Sequence, residues 1–178
     1  HDAENVINVA NLCVEAKDKI IGFDIAGPEL GFPPSLFAES FKKVSESGVN
    51  ITIHAGEGDG VSSIIDALNN GAMRIGHGVR IIEDINDGII GPTASKIIDL
   101  QIPLEICITS NIHTNMYESY EAHPISSLID YGFNVYLNTD NRLMSNTSIS
   151  KEIEIAKSLG ISDVDRLLKY SASDSFFD

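Results

Sequence analysis

"NITIHAGEGDG", residues 50–60, carries a short apolar strand into a glycine-rich turn and sets a histidine, His54, and a carboxylate, Glu57, three apart where the strand ends. Upstream, "PSLFAESFKKVSES" (34–47) has helical spacing and stops at Gly48, a plausible glycine C-cap. Before it, residues 3–19 place Val6, Ala10, Cys13 and Ala16 on one helical face, and "IIGFDIAG" follows as a buried strand over 20–26. Downstream, "GVSSIIDALNNG" aligns Ile64, Ile65 and Leu68 on one helical face ahead of a short strand at 72–78. "PTASKIIDLQ" (92–101) puts Pro92 in a first helical turn, and "IPLEICIT" (102–109) reads as a strand. "HPISSLIDYG" and the strand "FNVYLNT" (133–139) repeat the pattern, and two helical stretches, 148–160 and 162–177, close the chain, each opened by a serine suited to an N-cap.

Five strands, each followed by a helix or a long connection, have the rhythm of consecutive right-handed βα units in a parallel sheet. Both a doubly wound α/β sheet and a (β/α)8 TIM barrel show this period. The polar residues separate them. Asp24 and Gly27 follow the first strand, His54 and Glu57 the second, His77 the third, Thr109, Ser110, Asn111 and His113 the fourth, and Asp140 and Asn141 the fifth. In a barrel the carboxyl ends of all strands converge on one catalytic face. A doubly wound sheet concentrates chemistry at one switch point, usually with a phosphate-binding GxGxxG after its first strand. "DIAGPELG" (24–31) does not match that fingerprint, so the fold expected is a (β/α)8 TIM barrel of which residues 1–178 supply five βα units of a single domain.

The 178 residues are 43% hydrophobic, enough for a buried core, and carry 26 acids against 12 Lys and Arg for a net charge of −14. That charge repels phosphate backbones and anionic lipid, so neither nucleic acid nor a membrane surface is expected as a partner. No run approaches the roughly 20 apolar residues that span a bilayer. Cys13 and Cys107 sit in apolar segments without CxxC spacing and read as buried free thiols of a reducing, cytoplasmic compartment. The chain opens at His1-Asp2 directly into helix-like sequence and reads as starting part-way through a longer polypeptide.

His54 and Asp140 are candidate ligands for zinc or another borderline divalent ion, with His77 as a third candidate. The close histidine pair that commonly completes such a site is not among these residues. Glu57, on a turn loosened by Gly56, Gly58 and Gly60, can approach a substrate without binding metal and donate a proton.

"HAGE" (54–57), "RIGHG" (74–78), "CITSN" (107–111) and "LNTDN" (137–141), in that order and preceded by "DIAGPE" (24–29), resemble the adenosine deaminase family along essentially the whole chain. The resemblance implies a (β/α)8 barrel and hydrolysis of adenosine to inosine and ammonia, a step of purine salvage. It implies Zn2+ held by His54 and Asp140, with Asp140 also orienting the attacking water. Glu57 would protonate N1 of the purine, His77 would hold and deprotonate the water, and the Gly27 N–H would reach N3. The family usually has aspartate where this chain has Asn141; the amide NH2 can still donate to N7. The family's His-x-His zinc pair, carried on its first strand, is missing, as are three of eight strands. The expectation is therefore a C-terminal part of a longer enzyme, inactive alone, whose open edges another chain or the N-terminal segment covers. Adenine or AMP are alternative substrates, with Arg74, Arg80 and Arg142 the strand-end cations available for a phosphate; a non-catalytic partial barrel that binds a nucleoside or a partner is the alternative from another class.

Other residues carry two readings each. Asp24, Glu29, Ser110 and Asn111 line a pocket or brace their turns; His113 touches substrate or its own loop; His123, before Pro124, reads as structural. The acids Glu83, Asp84, Asp87, Glu152 and Glu154 read as solvated surface.

Overall fold

The computed structural model describes residues 3–170 and 172–176. Strands β1 (Gly22–Ile25), β2 (Asn50–Ala55), β3 (Arg74–His77), β4 (Leu104–Ile106) and β5 (Val135–Leu137) form one all-parallel sheet in chain order. Helices α2 (Ala38–Glu46), α3 (Val61–Asn69), α4 (Pro92–Asp99), α6 (Ile125–Asp130) and α7 (Ile149–Ser158) follow these strands one by one, and α1 (Ala3–Glu15) packs beside α2. This is the outer wall of a little over half a (β/α)8 barrel.

The strands hold together because one side is apolar. Ile51, Ile53, Ile75, Leu104, Ile106, Val135 and Leu137 are buried in one cluster with Phe41, Val44, Ile64, Ala67, Ile97, Ile125 and Leu128 from the helices. Burying each Ile or Leu of this set contributes roughly 1.5–3 kcal/mol. The other side is polar. His54, Gly76, Glu105 and Tyr136 stand level with one another across β2 to β5. One tier below, Arg74 Nε donates to Thr52 Oγ1 (3.2 Å) and pairs with Glu105 (3.3 Å). Carboxylates, imidazole and guanidinium on an inner face are expensive unless paired or used.

The helices begin where the sequence signals them. Pro92 opens α4, and Asp84 Oδ2 accepts from the Thr93 and Ala94 N–H groups at 2.9 and 2.8 Å. Ser148 caps α7, its Oγ accepting from Lys151 N–H. Gly48 takes the left-handed φ of +84° expected of a C-cap.

Several expectations are corrected, and one element was not foreseen. The strand expected over 102–109 ends at Ile106, and Ile108–His113 is a helix, α5. β-Branched residues favour a strand there, but the Thr109 N–H is taken by the Glu152 carboxylate of α7 (3.2 Å), a tertiary bond that overrides local propensity. Glu152 is consequently fully buried rather than solvated, and also accepts from Thr147 Oγ1 (2.6 Å). "INDGII" forms a two-stranded hairpin, Ile85–Asn86 with Ile89–Ile90, turned by Asp87 and Gly88 at φ +50° and +77°; the Asp-Gly signal for it is plain in the sequence. The helix expected over 162–177 is instead a 3₁₀ turn at Arg166–Leu168 and a short helix, α8 (Ala172–Ser175), because Tyr170 turns back to stack on Tyr136 at 3.9 Å between ring centroids. Ser171 and Phe177 of that stretch, Asp178 after it, and His1 and Asp2 at the start lie outside the described residues. Cys107 is a buried free thiol and Cys13 a half-buried one.

Candidate metal centre and active site

His54, near the end of β2, His77, at the end of β3, and Asp140, just past β5, each offer a ligand atom within 4.8 Å of the others. They line a cavity of about 340 Å³ at the carboxyl ends of the strands, together with Gly76, Glu105, Cys107, Asn138 and Thr139. A surface groove of about 390 Å³ between α6 and the 159–167 loop is larger but gathers no comparable set of imidazoles and carboxylates.

Each member of the cluster is held from behind. His54 Nδ1 lies 3.2 Å from Asp24 Oδ1, so Nδ1–H donates to the carboxylate and Nε2 keeps its lone pair, the arrangement that prepares a histidine to bind metal. Burial alone lowers the His54 pKa, but the Asp24 hydrogen bond and the charges of Asp24, Asp140 and Glu105 outweigh it, and the net shift is upward. The ring packs closely on β3 because residue 76 is glycine: a Cβ there would stand 2.8 Å from His54 Nδ1 and 2.9 Å from Cγ. Asp140, at a left-handed φ of +53°, accepts from Ser110 Oγ at 2.7 Å. His77, also at positive φ (+60°), is 2% exposed; burial and the neighbouring His54 charge push its pKa down to about 4.

Glu57 stands beside His77, which lines the cavity. Its Oε2 is 3.5 Å from His77 Nε2 and its Oε1 accepts from Thr114 Oγ1 at 3.2 Å. Burial first, and then the Asp140 and Glu29 charges, raise its pKa against the opposing Thr114 bond and His54. Its loop is clamped from below: the Glu29 carboxylate accepts from the main-chain N–H groups of Gly56, Glu57 and Asp59 at 2.5 to 3.0 Å. Gly56 is at φ +73°, and a Cβ there would stand only 2.5 Å from Ile64 Cδ1, so the turn closes onto the core there.

The remaining expected residues fall at the rim. Gly27 is exposed at φ +135°, a backbone region glycine alone adopts freely. Asn141 is exposed; its Oδ1 accepts from Met144 N–H, which leaves its NH2 as the group remaining to donate. His113 is exposed and lines a different surface pocket with Thr109, Tyr120 and Lys151. Cys107 touches the cavity, but burial and the surrounding carboxylates raise its pKa well above the usual thiol value, so it stays a thiol. Asp24, Glu29, Ser110, Asn111 and His123 carry more of the site than the sequence assigned to them. Their signal was only position, since their site partners lie about 30 residues away along the chain, or 12 for His123.

The family profile described as adenosine deaminase matches residues 1–178. The chain belongs to the adenosine deaminase family. A relative called adenosine deaminase 1 from Streptomyces coelicolor is 45% identical over 159 residues, covering 85% of this chain and 40% of that protein. Among solved structures, adenine deaminase from Arthrobacter aurescens superposes with a TM-score of 0.84 at 26% identity, covering 93% of this chain and 50% of that one. The N6-methyl-AMP deaminase of Arabidopsis thaliana superposes at 0.82 with 27% identity, covering 100% and 52%. The chain spans less than half the length of the curated adenosine deaminase family relatives it matches. Among the described residues no helix is long and apolar enough to cross a membrane.

Proposed function

We propose that this chain provides the carboxyl-end face of a zinc-dependent enzyme that hydrolyses the C6 amino group of adenosine or deoxyadenosine, releasing inosine or deoxyinosine and ammonia. The observation that carries the reading is the convergence of His54, His77 and Asp140 within 4.8 Å beside Glu57. The donor set of imidazole nitrogen and carboxylate oxygen suits zinc, with His54 and Asp140 as the holding pair. Zinc bound there supplies a water made acidic enough to attack near neutral pH. Glu57, its carboxyl pKa raised, protonates purine N1 so that charge does not build on the ring during attack. His77, beside this pair, would hold the attacking water. Gly27 N–H would meet N3 of the purine and the Asn141 NH2 would meet N7.

Asp24 acts on the metal through His54. Asp24→Ala is expected to weaken zinc binding about 10- to 100-fold, as the loss of a carboxylate behind a metal-bound histidine generally does; competition with a chromophoric chelator measures it. Unchanged affinity would show that His54 does not hold the ion.

Adenine and nucleotides are the competing substrates, as in the two solved relatives. A nucleotide needs cations for its phosphate, and of the three strand-end arginines Arg80 is committed to Glu83 (2.6 Å) and Arg74 to Glu105 (3.3 Å), which leaves only the exposed Arg142 outside a salt bridge among the described residues. Turnover of adenosine, adenine, AMP and N6-methyl-AMP by the zinc-loaded full-length protein separates these readings, with adenosine expected to lead.

The sheet ends at β1 and β5, each with one strand neighbour. Further βα units, from the same polypeptide or a partner chain, would cover these edges and supply the remaining zinc ligands. The 178 residues in isolation are accordingly expected to hold zinc below stoichiometric level and to form no measurable inosine. Metal analysis with an inosine assay tests this; full zinc and ordinary turnover would contradict it.

A further inference from the structure

Three buried side chains form a line of hydrogen bonds that begins at a main-chain amide. Ile125 N–H donates to His123 Nδ1 (3.2 Å), His123 Nε2 meets Asn111 Oδ1 (3.1 Å), and Asn111 Nδ2 meets His77 Nδ1 (3.1 Å). His77, Asn111 and His123 are 2%, 0% and 5% exposed, so solvent does not compete for these bonds.

The direction of the line follows from its first member. A backbone N–H can only donate, so His123 Nδ1 must present a lone pair, and a neutral imidazole with that lone pair carries its proton on Nε2. That Nε2–H requires an acceptor, which assigns Oδ1 of Asn111 to it and leaves the Asn111 NH2 facing His77. The NH2 donates, so His77 Nδ1 is the acceptor and the His77 proton sits on Nε2. Nε2 is the atom turned to the cavity, 3.5 Å from Glu57 Oε2. The same geometry makes both imidazoles neutral, because each has an Nδ1 that must accept, from the Ile125 N–H in His123 and from the Asn111 NH2 in His77.

We propose that Asn111 and His123 are positioning residues that, anchored on the Ile125 amide, fix the tautomer of His77 and make its Nε2 a hydrogen-bond donor to the catalytic cavity. In this state Nε2 has no lone pair for metal, so His77 holds the attacking water while His54 and Asp140 hold the ion. That consequence rests on the proposed deaminase function; the placement of the proton does not.

The test is long-range proton–nitrogen correlation NMR on the full-length protein labelled with 15N-histidine, metal-free and zinc-loaded, because imidazole nitrogen shifts distinguish a protonated nitrogen from one with a lone pair. In the unmodified protein, His77 and His123 are both expected to be protonated on Nε2 and bare on Nδ1. Asn111→Asp replaces a group that both donates and accepts with one that only accepts, so His77 Nδ1 should become protonated. In the active protein the same change should lower kcat about 10- to 100-fold. His123→Phe removes the donor that orients Asn111 and should leave His77 in a mixture of tautomers. A His77 proton on Nδ1 in the unmodified protein overturns the inference, as does an unchanged His77 pattern in a folded Asn111→Asp variant. Should Asn111→Asp not fold, the spectrum of the unmodified protein still decides. If that spectrum is as expected but no aminopurine is turned over, the deaminase reading fails and the inference stands.

Discussion

Glu57→Gln in the zinc-loaded protein is expected to lower kcat for adenosine by about 10²- to 10⁴-fold, the range for losing a positioned general acid. Glutamine preserves shape and can still accept from Thr114 Oγ1, but it has no proton to release to N1. Zinc content and KM should change little, because Glu57 is outside the metal-binding cluster and the loop that carries it is held by Glu29 through main-chain N–H groups. Steady-state kinetics with metal analysis separate these effects. The raised pKa sets the sign of the pH dependence: Glu57 is active when protonated, so turnover should persist to higher pH than an ordinary carboxyl allows and fall as pH rises through the shifted value. A variant within a few-fold of the parent enzyme would remove Glu57 as the acid.

Acidification is expected to remove about 3 kcal/mol of folding stability through His123 alone. Burial, with the nearby His77 charge, depresses its pKa from 6.5 to about 4 in the folded state. The unfolded chain therefore takes up the proton first as pH falls. The contribution is fully present above pH 6.5, declines between 6.5 and 4, and is gone below 4. His123→Phe starts from lower stability, since it leaves Asn111 Oδ1 and the Ile125 N–H without their partner, but it should lose less on acidification. Urea unfolding at pH 7 and pH 4.5 for both proteins measures the difference; equal losses would mean that His123 is not the group responsible.

The rhythm of the fold is local and was legible in sequence. Isoleucine-rich strands, glycine C-caps and Pro92 at the head of α4 act over a few residues, and the polar residues that follow each strand mark the catalytic rim because parallel strands point their carboxyl ends one way. His54, Glu57, His77 and Asp140 were all recognisable on that basis. Misreadings arose where a distant partner outweighed local preference. Glu152 takes the Thr109 amide from 43 residues away and turns an apparent strand into α5, which aims Ser110 at Asp140 and Asn111 at His77.

Sequence by itself determined the five strands, most of the helices between them, their order, and which side chains follow the strand ends, because periodicity and turn chemistry are properties of neighbouring residues. Only the tertiary structure decided which atom of each side chain faces the cavity: the His54 lone pair by Asp24, the Glu57 loop by Glu29, the His77 proton by Asn111 and His123. Hydrogen-bond direction depends on donors and acceptors that folding brings together from about 10 to more than 30 residues apart, and no local pattern encodes it.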